Sequence, residues 1–399
     1  MHFQENPKPF FLPWVFALLA TISVFTTDLY LVSFPYMQDF FSTSVFNIQL
    51  TLYVYFLGFS LSMIISAPLC DRFGYRQVIL AGLTLYCAAS LTCVFSTSIS
   101  MMIMCRFLQS FGAGFSSILS RVAVRDLYER DDRVKLFVYL FVAMAVSLIV
   151  APWLGSFFFL NFGWKANFLW MSCYSGVLLL AAYRTIPVRL QAKSWSSFSF
   201  RKYWIVTNNR KFLTIVFAIA FLWAGFLVFI SKAPFIFASG QDTYEFVITY
   251  SFVIVGMIFG TLAARIVSNR LGIPHAIFIG ICIALLGAIT LAVSFYLFES
   301  TLAIAIPMFI YLLGIGIALP NCQAAISDLF DPTYASVSFS LLFFLKFFLG
   351  AVGGVFIAQM NESLHYFVGM ICFCAAGAFI IWYLPYGKYG EIGEQAVQR

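Results

Sequence analysis

The chain has 399 residues, of which 62% are hydrophobic, 19% aromatic and only 10% charged, and its net charge is +7. That much apolar surface cannot be hidden in a water-soluble core, so the composition excludes a soluble globular protein and points to an integral membrane protein. The apolar stretches are long enough to cross a ~30 Å hydrocarbon layer as helices and lack the alternation of an outer-membrane barrel.

In chain order, spans are predicted at 10–33, 47–69, 78–95, 99–122, 136–160, 167–187, 212–232, 244–265, 275–296, 301–324, 336–359 and 364–385. The expected fold is an all-α integral membrane protein, with twelve transmembrane helices in two pseudo-symmetric six-helix bundles. The first span is too long, and its flank too poor in basic residues, for a cleaved signal peptide. The polar stretch 188–211 divides the spans six and six. The expected domains are therefore a bundle over 1–187, a cytoplasmic linker, and a second bundle over 212–399 that ends in a short cytoplasmic tail. After span 2 the chain reads "CDRFGYR" and after span 8 "SNRLGIP", aligning Asp71 with Asn269, Arg72 with Arg270 and Gly74 with Gly272 at an offset of half the chain. Internal repeats of this kind mark secondary transporters built around a midplane site.

Of the 23 Lys and Arg residues, nineteen fall on one side of these spans and two, Lys165 and Lys232, on the other; Arg106 and Lys346 lie within spans. The positive-inside rule then places both termini in the cytoplasm and the protein in the cell (inner) membrane. Topology accounts for the positive charge, so no nucleic-acid partner is expected. The expected partners are a small-molecule substrate and the lipid bilayer, and a self-sufficient fold of this size suggests a monomer. The nine cysteines lie mostly inside spans without a CxxC pair and read as small apolar residues. His2, His275 and His365 sit at span ends or termini, and no metal site is expected.

Three charges lie well inside spans: Asp28, Arg106 and Lys346. Counting 1.5 Å per residue from the outer ends puts Asp28 and Arg106 at one depth, about 10 Å below the outer surface, on different helices of one bundle. A carboxylate there is either protonated or ionic with a cationic partner, which makes it a proton switch; the competing reading is a static ion pair docking span 1 to span 4. Lys346, near the midplane of span 11, leaves three readings open: an anion-binding group for the substrate, a structural partner for helix carbonyls or Asp28, and a deprotonated lysine. By depth, Tyr30, Tyr53 and Trp223 are candidates to line the cavity, with core packing as the competing role. An enzyme would need a catalytic base beside the buried carboxylate, and none is in view; no P-loop is present. Neither enzymatic activity nor a cofactor is expected, and the proton gradient is the expected energy source.

Several of these segments resemble motifs of the major facilitator superfamily. "CDRFGYRQ" resembles its loop 2–3 motif, keeping Asp71, Arg72, Gly74 and Arg76; "RFLQSFGAG" resembles its span 4 motif, with Arg106 and Gln109; "SLIVAPWLGS" resembles the span 5 antiporter motif, with Pro152 and Gly155. "TDLYLVSFP" and "RVAVRDLYERDDR" narrow the likeness to the twelve-span drug:proton antiporters, especially the bicyclomycin and chloramphenicol resistance type. The resemblance implies that Asp71, Arg72, Gly74 and Arg76 form a conformational latch; the buried charges make Asp28 and Arg106 the expected proton-coupling pair, and the small-residue stripe with its proline makes Pro152 and Gly155 the expected gate. Tyr30, Tyr53, Gln109, Trp223 and Lys346 are the expected substrate contacts. Ala67, Ser110, Ser147 and Ala151 stand where the family usually has glycine. The expected function is proton-coupled efflux of a small organic solute by alternating access. Proton-coupled movement of an anionic or polycarboxylate solute, such as a metal-chelating siderophore, is the alternative; a membrane sensor or channel-like relative is the non-transporting one.

Overall fold

A computed structural model describes residues 11–128, 130–187, 200–237, 243–298, 300–359 and 363–396. Every regular element among the described residues is helical, and twelve helical segments are long and apolar enough to cross a membrane. The chain clusters into two units, residues 1–198 and 199–399.

Unit 1 holds α1 (Leu12–Asp28), α2 (Phe34–Phe41), α3 (Val45–Phe73), α4 (Tyr75–Val94), α5 (Ile99–Leu127), α6 (Arg130–Phe162) and α7 (Lys165–Thr185). Unit 2 holds the short α8 (Phe200–Thr207), then α9 (Arg210–Phe237), α10 (Thr243–Leu271), α11 (Ile273–Leu297), α12 (Leu302–Leu329), α13 (Pro332–Gln359) and α14 (Leu364–Ala396). The packing pattern repeats. In unit 1, α5 packs on α3 and α4, α7 on α4, and α6 on α1; in unit 2, α12 packs on α10 and α11, α14 on α11, and α13 on α9.

The repeat extends to single backbone torsions. Gly74 has φ 81° and ψ 159°, and Gly272 has φ 83° and ψ 157°. Each closes one helix by donating its N–H four residues back, Gly74 to Cys70 O at 2.8 Å and Gly272 to Ser268 O at 2.9 Å, and its carbonyl opens the next. Only glycine adopts such torsions without strain, so the two glycines aligned in sequence make one turn twice.

Three expectations are corrected. The first span is not one helix: α1 ends at Asp28, a 3-10 turn covers Leu31–Ser33, and α2 begins at Phe34. Pro35, at the start of α2, lacks the N–H that a continuous helix would need there. The broken backbone is tolerated because residues 29–34 are all buried. Lys232, assigned to the outer flank, lies inside α9 with 8% of its surface exposed. Within the predicted 188–211 linker, Phe200–Thr207 is helical and α9 begins at Arg210, while 188–199 lie outside the described residues.

Alanine at either Gly74 or Gly272 should cost about 1–3 kcal/mol, the usual penalty for forcing a side chain into this torsional region. The apparent melting temperature in detergent should fall for each single variant and further for the double.

Candidate functional site

In unit 1, groups from α1, α3, α5 and α7 meet at Arg106, and α4 is bonded to them in turn. The guanidinium is fully buried. Nη1 donates to Gln109 Oε1 at 2.6 Å, one helical turn along α5, and Nη2 donates to the Thr26 carbonyl at 3.1 Å, near the end of α1. Gln109 Nε2 in turn donates to Ser90 Oγ on α4 at 2.6 Å. Thr26 Oγ1 and Tyr86 OH lie 2.7 Å apart and tie the same stretch of α1 to α4.

Aromatic faces enclose the charge. The Arg106 Cζ lies 4.0 Å from the Tyr30 ring centroid, 4.7 Å from Tyr55 and 5.9 Å from Phe168 of α7. Out of water, each well-placed ring of this kind is worth up to about 2 kcal/mol. Tyr30 is itself oriented by Thr51, whose Oγ1 lies 3.2 Å from its hydroxyl. Arg106 Nε and Tyr55 OH remain buried without a protein partner, so the site keeps hydrogen-bonding capacity for water or solute.

Asp28 is the last residue of α1, 2% exposed, and only two residues beyond the carbonyl that Arg106 grips. The neighbouring seam is tight: a Cβ on Gly155 of α6 would overlap the Leu29 carbonyl oxygen. Ala151 and Ser147, one and two turns back, are buried, and Pro152 lies within α6. This small-residue stripe lets α6 rest on the interruption that follows Asp28.

At the α3–α4 turn, Arg76 donates through Nη2 to the Tyr183 carbonyl of α7 at 2.8 Å and lies 4.8 Å from the Tyr183 ring. It thereby satisfies one of the last carbonyls of α7 within its own unit. Arg72 is exposed, with Cζ 5.2 Å from the Phe73 ring, and the Asp71 side chain lies outside the description. Tyr53 is buried on α3.

Unit 2 buries Lys232 of α9 and Lys346 of α13. Lys346 of α13 is 3% exposed, and its Nζ sits 3.8 Å from the Trp223 ring of α9, 4.5 Å from Phe347 and 4.9 Å from Phe343. Trp223 stands perpendicular to Phe347, and its indole Nε1 is a buried donor without a partner. Two residues singled out on separate grounds, one for charge and one for depth, thus meet in space.

Sequence reasoning missed Thr26, Thr51, Tyr55, Tyr86, Ser90 and Phe168, and it misplaced Lys232. A weak signal was present: Thr51 with Tyr55 and Tyr86 with Ser90 are four apart on one helix, and Arg106 with Gln109 three apart, so each pair shares a face.

A family profile described as the Major Facilitator Superfamily matches residues 16–355. The chain belongs to that superfamily of transporters, and it is a multi-pass membrane protein. It is 28% identical over 371 residues to a chloramphenicol resistance protein of Pseudomonas aeruginosa, covering 90% of this chain and 86% of that one. It is 27% identical over 391 residues to an uncharacterized MFS-type transporter, YdgK, of Bacillus subtilis, covering 94% and 95%. In fold it is similar to a D-xylose-proton symporter, with TM-score 0.79, 15% identity and 94% and 97% coverage. A peptide transporter, POT, gives TM-score 0.80 at 14% identity and 99% and 96% coverage.

Gln109→Leu removes the acceptor of Arg106 and the donor to Ser90 while keeping similar bulk. It should destabilise the protein by about 1–3 kcal/mol, because a buried charge loses a hydrogen bond. Gly155→Val should likewise lower the apparent melting temperature, whereas valine at Gly176, where a Cβ meets open space, should lower it far less.

Proposed function

We propose that this transporter is a proton-coupled antiporter that exports a small organic solute by alternating access. The observation that carries this reading is the buried Asp28 at a broken helix end, with Arg106 bonded to the carbonyl two residues away. A carboxylate so placed changes charge only when its surroundings change, because protonation state follows water access and neighbouring charge. Asp28 takes a proton when the site faces the acidic side and releases it to the cytoplasm. Arg106 remains cationic, held by Gln109 and the Thr26 carbonyl, and sets the potential against which Asp28 titrates.

The remaining roles follow from position. The unpartnered Arg106 Nε and Tyr55 OH offer donors to a solute beside Tyr30 and Gln109, and the Gly155–Leu29 contact beside Pro152 is where α6 bends against the broken span. The turn around Gly74, with Asp71, Arg72 and Arg76, acts as the latch. Efflux is favoured by relatives named for chloramphenicol, bicyclomycin and multidrug transport. The distribution of Lys and Arg supports cytoplasmic termini and an inner-membrane location. The proton gradient drives the cycle in a monomer, without a cofactor.

One observation favours a second reading of the cargo. Lys346 over Trp223, with the indole N–H unpartnered, suits the carboxylate of an anionic solute better than a lipophilic cation.

Proteoliposomes with an internal pH probe separate the readings. Chloramphenicol or a lipophilic cation should release protons from vesicles holding the wild type and the Lys346→Gln variant, and not from those holding Asp28→Asn. If only di- or tricarboxylates move protons, and Lys346→Gln ends this, the anion reading replaces the drug-efflux one. Proton movement undiminished in Asp28→Asn would overturn the coupling role.

A further inference from the structure

The seam between α4 and α5 pairs residues in a regular antiparallel order. A Cβ on Gly82 would touch Phe115, and one on Gly112 would collide with Tyr86 and the Gly82 carbonyl oxygen, so the two backbones run close together. One turn further along, Ser90 is bonded to Gln109. Continuing that register by one more turn sets Cys93 opposite Cys105. Both are free thiols, Cys93 fully buried and Cys105 5% exposed. Cys105 directly precedes Arg106, and only Phe95–Ser98 separate the two helices.

We propose that Cys93 and Cys105 form an oxidisable dithiol that closes into an intramolecular disulfide and staples α4 to α5 beside Arg106. A disulfide requires a Cα spacing of roughly 4.4–6.8 Å, and the contact of Gly112 with the Gly82 carbonyl and the Tyr86 backbone shows how closely α4 and α5 approach along this seam. Hydrogen peroxide, small and uncharged, is the oxidant suited to a buried pair. The Cys105 sulfur, the more exposed of the two, attacks the O–O bond, which breaks; the sulfur becomes a sulfenic acid and one water leaves. The Cys93 sulfur then displaces that oxygen as a second water and forms the S–S bond. Two thiols lose two hydrogens, and hydrogen peroxide is reduced to two waters. Cys87, by contrast, lies 3.3 Å from the Ser172 hydroxyl. The staple holds in place the seam through which Gln109 supports the guanidinium.

The test uses purified full-length protein in detergent, treated with hydrogen peroxide, unfolded, alkylated and digested without reductant. Mass spectrometry should show the Cys93–Cys105 peptide pair cross-linked. The apparent melting temperature should rise on oxidation and return with dithiothreitol, because the cross-link constrains the unfolded chain. Cys93→Ser and, separately, Cys105→Ala should show neither effect, and the wild-type comparison with and without reductant decides the matter even where a variant folds poorly. Recovery of both cysteines alkylated after peroxide treatment overturns the proposal. So does a cross-link that leaves the melting temperature unmoved by dithiothreitol.

Discussion

A positive charge held out of water is the constraint on which unit 1 depends. A guanidinium keeps its charge in proteins and carries five N–H donors, so burying Arg106 obliges its surroundings to supply acceptors and polarisable faces. Gln109 and the Thr26 carbonyl supply the first, and Tyr30, Tyr55 and Phe168 the second. Each supplier is fixed in turn by a neighbour: Gln109 by Ser90, Thr26 by Tyr86, Tyr30 by Thr51. One buried ion thereby organises α1, α3, α4, α5 and α7.

The break after Asp28 belongs to the same arrangement. An interrupted helix in a membrane leaves backbone groups that lipid cannot satisfy, so it survives only where protein covers it. Here α6 does so, and it lies close because Gly155 carries no side chain to hold it off the Leu29 carbonyl. Association between helices in lipid gains little from the hydrophobic effect and relies on close packing, which explains small residues at this seam and between α4 and α5. Unit 2 solves its own charge problem differently, enclosing Lys346 with Trp223, Phe343 and Phe347.

Much of this was legible in the chain. The spans follow from apolar length, the bundle repeat from the echo of Gly74 in Gly272, and the charged centres from the rarity of charge within spans. Arg106 and Lys346 were identifiable by charge, Trp223 by depth, and Gln109 and Gly155 by their motifs. The supporting residues were not, because Thr, Ser and Tyr are common on transmembrane helices and nothing in the order of residues says which of them face a charge. Lys232 was misplaced for a related reason: hydropathy ends a span at the first charge, whereas the helix runs on to Phe237.

The chain's motifs carry the resemblance to the major facilitator superfamily, and the sequence by itself determined a twelve-span helical chain with a few charges inside its spans. Those features depend on composition, periodicity and local backbone chemistry, all of which act within a few residues. Only the tertiary structure decided that the first span breaks after Asp28, that Arg106 is bonded to the end of α1, and that Lys346 lies on Trp223. These depend on contacts between helices distant in the chain, where steric fit and the cost of an unsatisfied buried charge choose among arrangements that local sequence leaves equal.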